Sequence, residues 1–228
     1  MATRNWRRWV IGGVAAILLV VVAAPFIYIH FIQADPPARL SFSNPPTGTK
    51  STSAGGIEGT WTPTSASSVG YRINELLMGQ KSEAVGRTSK VTGQLIIAGT
   101  TVNSASFTVD MTSVVSDDDR RDQQFQGRIM ETSTYPTATF ALSAPISLTK
   151  VPADQEIVSV TVAGKLTMHG VTKTVSLPLK AKRNASTIEV NGSLAIVFAD
   201  WGIGNPSFGP VTTEDHGLLE FLVVFGQS

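Results

Sequence analysis

The sequence predicts an all-β domain, a sandwich or barrel of about eight short strands, carried behind one membrane-spanning helix. Three observations predict it. After Gly56, clusters of Gly, Pro and Asn punctuate the chain at intervals of ~8–12 residues. Between them, apolar and polar residues alternate with the period of two that sends successive strand side chains to opposite faces. Ahead of them all, an apolar run without a single charge extends from Trp9 to Ile32.

That run, "WVIGGVAAILLVVVAAPFIYIHFI", is interrupted only by Pro25 and His30 and matches the roughly 20 residues needed to cross a bilayer core. It exceeds the apolar region of about 7 to 15 residues in a cleaved signal peptide, although "VVAAP" leaves cleavage open. Trp6 and Trp9 at one end and Tyr28 at the other fit the two membrane interfaces, and His30 is close enough to the outer end for a neutral imidazole to reach the headgroups. Arg4, Arg7 and Arg8 place the basic tail, residues 1–8, in the cytoplasm. A single-pass protein of the cell membrane follows, with everything after residue 32 extracytoplasmic. Residues 33–56, "QADPPARLSFSNPPTGTKSTSAGG", have two Pro pairs and end in Ser, Thr and Gly, a composition that resists helix and sheet; as a flexible coil they span roughly 25 to 30 Å.

The domain proper occupies residues 57–228. Its first strand is expected at 69–73. In "GQLIIAGTTVNSASFTVDM", Leu95 and Ile97 alternate before a turn near Gly99, and Ala105, Phe107, Val109 and Met111 then take every second position. Further strands are expected at 137–148, 157–168, 171–180, 187–198 and 218–225. "SDDDRRDQQFQGRIMET" departs from this pattern. Ser116 suits a helix N-cap, Asp117, Asp118 and Asp119 lie where the helix dipole favours negative charge, and Phe125 and Ile129 are four apart, so a short amphipathic helix caps one end. In "LTMHGVTKTVSLPLK", His169 and Gly170 fall between two alternating runs, as the corner of a tight hairpin where the backbone angle turns positive. "DWGIGNPSFGP" mixes aromatics with turn formers and reads as a structured loop across the barrel end.

Several function classes are set aside. Of the 18 Lys and Arg, three precede the apolar run, leaving 15 against all 17 Asp and Glu in the rest, with no basic stripe for nucleic acid. Cysteine is absent, which removes disulfides and thiolate chemistry. No serine lies in a Gly-x-Ser-x-Gly elbow. "EDH" at Glu214 to His216 sets two carboxylates beside an imidazole, but neighbours on a strand point to opposite faces. No catalytic or metal-binding residue and no cofactor are expected. Asn184 and Asn191 fit a short, common glycosylation pattern that carries little weight.

Three ordered motifs carry a family resemblance. "RRDQQFQGRIMETSTYPTATFAL" resembles the arginine–aspartate helix and "YP" strand start of the YceI-like family, "LTMHGVTKTVSL" resembles its hairpin, and "FADWGIGNPSFGPV" is similar to its later segment. With "GTWTPTSASSVGYRI" the similarity spans nearly all of residues 57–228. Ala66 and Glu75 stand where many members carry histidines, so no role of those histidines transfers. The resemblance implies an eight-stranded antiparallel, lipocalin-like barrel with one capping helix and an elongated apolar pore that binds a polyisoprenoid. "NELLMGQKSEAVGRTSK" is longer than a tight turn and is expected to form a mouth or lid loop. Pore candidates are Tyr71, Phe107, Phe125, Ile129, Phe140, Met168, Phe198, Trp201 and Phe221, with Ala105, Ala138 and Gly192 as small inward positions. The expected partners are an isoprenoid or similar long-chain lipid and the membrane through residues 9–32; sheet edges near the termini leave a homodimer open. The expectation is therefore a membrane-anchored lipid-binding protein that carries or sequesters its ligand. Its alternative is a structural or stress-related envelope module whose barrel is filled by side chains, since eight strands suit either.

Overall fold

The alternation of side chains closes into a continuous wall. In the computed structural model, which describes residues 9–14, 20, 23, 36–43, 56–184 and 186–228, twelve strands form one antiparallel sheet. They are β1 (Gly59–Pro63), β2 (Ser68–Leu77), β3 (Gln80–Thr88), β4 (Val91–Ala98), β5 (Thr101–Asp110), β6 (Thr137–Leu142), β7 (Ile146–Ser147), β8 (Ile157–Met168), β9 (Val171–Asn184), β10 (Thr187–Val197), β11 (Val211–Thr213) and β12 (His216–Gln227). β1 and β2 lie end to end along β12, pairing Trp61 with Gln227 and Arg72 with Leu218. β3 and β4 follow one another in the same way, β3 against β2 and β4 against β1 and β5. With each of these pairs counted as one stave, β5, β6, β8, β9, β10 and β12 complete an eight-stranded barrel.

Four expectations change locally. The stretch 137–148 is not one strand: Pro145 cannot donate to a ladder, so β6 stops at Leu142 and β7 resumes along the same partner strand, β5, shifted by one residue, at Thr101 and Val102. "NELLMGQKSEAVGRTSK" is not a long loop but a hairpin, with its reversal at Met78 (φ 50°) and Gly79 (φ 80°). Met111 leaves the strand for a 3₁₀ turn, Met111–Ser113, capped by Asp110. The helix, α1 (Asp119–Gln124), is capped by Asp118 rather than Ser116, the Asp118 carboxylate accepting from the Arg120 amide at 2.8 Å. Ser116 instead donates both its hydroxyl and its amide to Asp122, at 2.7 and 2.8 Å. A π turn, Phe125–Ile129, prolongs α1 and delivers Phe125 onto Tyr71, ring centroids 5.0 Å apart.

The His169–Gly170 corner has the geometry read from sequence, with φ of 50° and 74°. His169 Nδ1 lies 3.2 Å from the Trp201 carbonyl and its ring 4.6 Å from that of Tyr135, so the imidazole packs the hairpin against the neighbouring loop.

Residues 36–43, inside the stretch read as a tether, lie along the outer wall. Beneath them runs a row of outward-pointing charges that are nonetheless buried: Arg72, Glu220, Lys182 and Glu189. Carbonyls of the segment accept from Arg72 (Pro37, 2.6 Å), Arg87 (Ala38, 2.6 Å), Asn191 (Leu40, 3.0 Å) and Lys182 (Ser43, 2.6 Å). Ser43 donates its amide and hydroxyl to Glu189, and Phe42 faces the Lys182 ammonium. Among the described residues no helix is long and apolar enough to cross a membrane. Of the run 9–32, residues 9–14, 20 and 23 are described, all helical; the remainder and the tail 1–8 lie outside the described residues. Trp9, Ile11 and Val20 are exposed.

Candidate functional site

The inward-facing rows do not meet in the middle. One apolar cluster, with Phe125, Leu166, Met168 and Phe198, sits below α1; a second, with Trp61, Leu95, Ile188 and Phe225, closes the opposite end. Past both runs a cavity of about 1560 Å³, larger than the ~300–1,000 Å³ of pockets for drug-sized ligands. Its wall includes Ile188 and Ile196 of β10, eight residues and so roughly 26 Å apart along the strand. The cavity reaches a mouth beside α1, where Met78, Phe208 and Pro210 both line it and face solvent.

How a barrel rich in aromatics stays hollow is written in its glycines. Gly86, Gly93, Gly164 and Gly192 all occupy inward-facing positions of their strands, and each lies under an aromatic ring from the next strand. A Cβ at Gly86 would overlap the Tyr71 ring and one at Gly164 the Phe140 ring; at Gly192 it would come 2.6 Å from Phe221, and at Gly93 it would overlap the Ser106 carbonyl as well as meeting the Phe107 ring at 3.0 Å. The missing side chain lets each ring lie sideways across the wall instead of pointing toward the axis. The same four rings cover strand backbone that glycine would otherwise leave bare.

Eight of the nine residues expected at the pore line the cavity: Tyr71, Phe107, Phe125, Ile129, Phe140, Met168, Phe198 and Phe221. Trp201, expected there too, is not on the wall; it is buried behind it in the cluster below α1, with Lys173 over its ring. Ala105 and Ala138 are on the wall, while Gly192 is hidden under Phe221.

Sequence reasoning missed the polar end of the cavity. Glu75 on β2 points inward among apolar neighbours, and Arg121 of α1 reaches down to it at 3.4 Å while also pairing with Asp117. Burial pushes the Glu75 carboxyl above its usual range, opposed by Arg121. Burial pulls the Arg121 guanidinium down, but Glu75 and Asp117 outweigh it and hold the group above its ordinary value. Burial also drives the neighbouring Tyr71 phenol well above its normal range, so it stays neutral. The signal available was parity: Glu75 has the same inward phase as Tyr71 and Ile73. At the surface, "EDH" forms a pair network in which His216 lies 2.8 Å from Asp215 and 3.3 Å from Glu214. Among the described residues no group of three His, Cys, Asp or Glu side chains is placed to hold a metal ion.

An eight-stranded antiparallel barrel with a short helix, built around a long apolar cavity, defines the class of protein. The chain belongs to the YceI-like domain family, whose profile matches residues 61–225. No curated protein matches it. Among solved structures it resembles a polyisoprenoid-binding domain from Saccharophagus degradans implicated in plant cell wall breakdown, at 20% identity and a TM-score of 0.60, covering 75% of this chain and 99% of that one. BcnA of Burkholderia cenocepacia is 26% identical with a TM-score of 0.53, covering 69% of this chain and 95% of that one. The YceI protein of Campylobacter jejuni is 17% identical with a TM-score of 0.52, covering 63% and 84%.

Proposed function

We propose that this protein is a membrane-anchored, extracytoplasmic carrier or sequestering protein for an isoprenoid or similar long-chain lipid. The observation that carries the reading is the cavity of about 1560 Å³ with rings laid flat over glycines, which speaks against a barrel filled by its own side chains. The Saccharophagus degradans domain, with the same fold, is a polyisoprenoid-binding domain, and that activity supports the ligand class. Anchoring rests on residues 9–32, whose described positions are helical and, Ala23 apart, exposed although the run is apolar.

Binding without chemistry suits the site. A five-carbon isoprene unit gains roughly 3 to 4 kcal/mol on leaving water, at ~0.8 kcal/mol per CH₂. A lipid drawn from a bilayer gains little, because the bilayer is as apolar as the lumen, so exchange is nearly balanced and proximity to the reservoir decides occupancy. The polar end at Glu75, Arg121 and Tyr71 offers donors and an acceptor to a head group at the mouth. Extraction of the purified chain and mass spectrometry of the extract test the reading: a stoichiometric long-chain lipid is expected, and a lipid-free protein that also fails to take up added isoprenoid alcohol overturns it.

A further inference from the structure

We infer that the lip of the cavity, built from the Met78 hairpin tip and the Phe208 loop, is a docking surface for the lipid bilayer. The inference rests on the anchored-carrier reading and adds an orientation to it. Met78 is 60% exposed and Phe208 62% exposed, and both also line the cavity; Leu76, 41% exposed, stands beside them. Val151 and Ile157 are exposed as well, but neither touches the cavity.

The lip is rigid. β2 and β11 pair through Leu76 with Thr212 and Leu77 with Val211, and the Met78 amide donates to the Pro210 carbonyl at 3.0 Å. Phe208 and Val211 exchange backbone hydrogen bonds of 3.0 and 3.1 Å. Arg128 stands 5.6 Å from the Phe208 ring centre and is fixed to the Asn205 and Pro206 carbonyls at 3.3 and 2.9 Å. A phenyl ring beside a large apolar cavity is thus held outward, where only an apolar phase would solvate it.

Chain geometry brings the membrane to the same side. The segment 36–43 steps from Arg72, opposite Leu218 of β12, to Glu189, opposite Val224. β12 starts at His216 near the mouth, so, measured along that strand, the N-terminal end of the segment is the end nearer the mouth. Only residues 33–35 separate Pro36 from the apolar run, a reach of at most ~14 Å. An anchor so close leaves the barrel little freedom to turn its mouth away, and a lip immersed in the bilayer lets a lipid enter without crossing water.

The chain has no cysteine, so single labels can be introduced. Met78→Cys, Phe208→Cys and Ile157→Cys, each in the full chain and each carrying an environment-sensitive fluorophore, are reconstituted into vesicles of phosphatidylethanolamine and phosphatidylglycerol. Blue-shifted emission and several-fold stronger quenching by nitroxide lipids at 78 and 208 than at 157 are expected. Equal, water-like emission at all three sites overturns the docking, as does a chain that does not float with the vesicles. Lipid content measured on the same samples separates the two readings: bound lipid with a water-exposed lip sinks the docking alone, and an immersed lip on a lipid-free protein sinks the carrier alone.

Discussion

At the scale of single residues, the hollow depends on atoms that are absent. Gly164 faces the lumen under Phe140, and a methyl group there would overlap the ring. Gly164→Ala therefore tips Phe140 off the wall, costing about 1–3 kcal/mol of overpacking strain, and narrows the lumen at mid-height. Thermal unfolding and isoprenoid uptake are both expected to fall, whereas an alanine at exposed Gly127, where nothing lies within 4 Å of the new methyl, leaves uptake unchanged. Glu75 gives a pH-dependent counterpart. Its folded-state carboxyl titrates above the unfolded value because it is buried, so the folded protein binds the proton more tightly. Stability from this site is complete below the ordinary carboxylate range and is lost as pH rises through the raised value. Glu75→Gln keeps a hydrogen-bonding partner for Arg121 and removes the titration. The stability of the variant relative to the parent should thus climb as pH rises from the ordinary carboxylate range through the raised value, measured by urea unfolding; a flat difference would mean that Glu75 is solvated.

At the scale of elements, the strands were legible because burial on one side writes itself into alternation. Residues 157–168 became β8 without change, and the His169–Gly170 corner followed from the two positive backbone angles of a tight hairpin. The same rule misled where it was applied to Pro145, whose missing donor splits the strand, and it was silent about residues 36–43. Composition says that a Pro- and Ser-rich segment has no structure of its own; it does not say that the barrel wall supplies one. The trace in the sequence was Arg72, Lys182, Glu189 and Glu220, charges at outward positions that period-two reasoning assigns to water. Covered by the segment, they become a buried network. Glu189→Ala should cost about 3–5 kcal/mol by stranding the Lys182 ammonium, as for a broken buried pair, against the ±0.5 kcal/mol of an ordinary surface substitution. Deleting residues 36–43 wets the row, and in that background the same substitution should cost far less. Denaturant unfolding of the four proteins closes the cycle; equal costs in both backgrounds would show that the segment does not cover Glu189 in solution.

At the scale of the whole molecule, fold and cavity stand in tension. A barrel wall satisfies most of its backbone in ladders, but an empty lumen forfeits the contacts its lining atoms would make. Sequence could not decide between hollow and filled, because the rings that line the wall are the same residue types that would fill it; the difference lies in χ angles and in four glycines on neighbouring strands. A ligand that binds only the folded barrel resolves the tension through linkage, adding RT ln(1 + [L]/Kd), about 2.7 kcal/mol at a hundredfold excess over Kd. For a chain of this size that corresponds to a Tm higher by roughly 5–10 °C. Stripping lipid from the purified protein should lower Tm by that amount, and returning an isoprenoid alcohol should restore it. Filling the lumen from within should uncouple the two. Ala105→Phe with Ala138→Phe places two rings in the cavity, from opposite apolar clusters. The double variant is expected to melt at or above the temperature of the stripped parent, to bind no lipid, and to show no change in Tm when isoprenoid alcohol is added. A double variant that still gains several degrees with the alcohol would place the ligand outside the barrel.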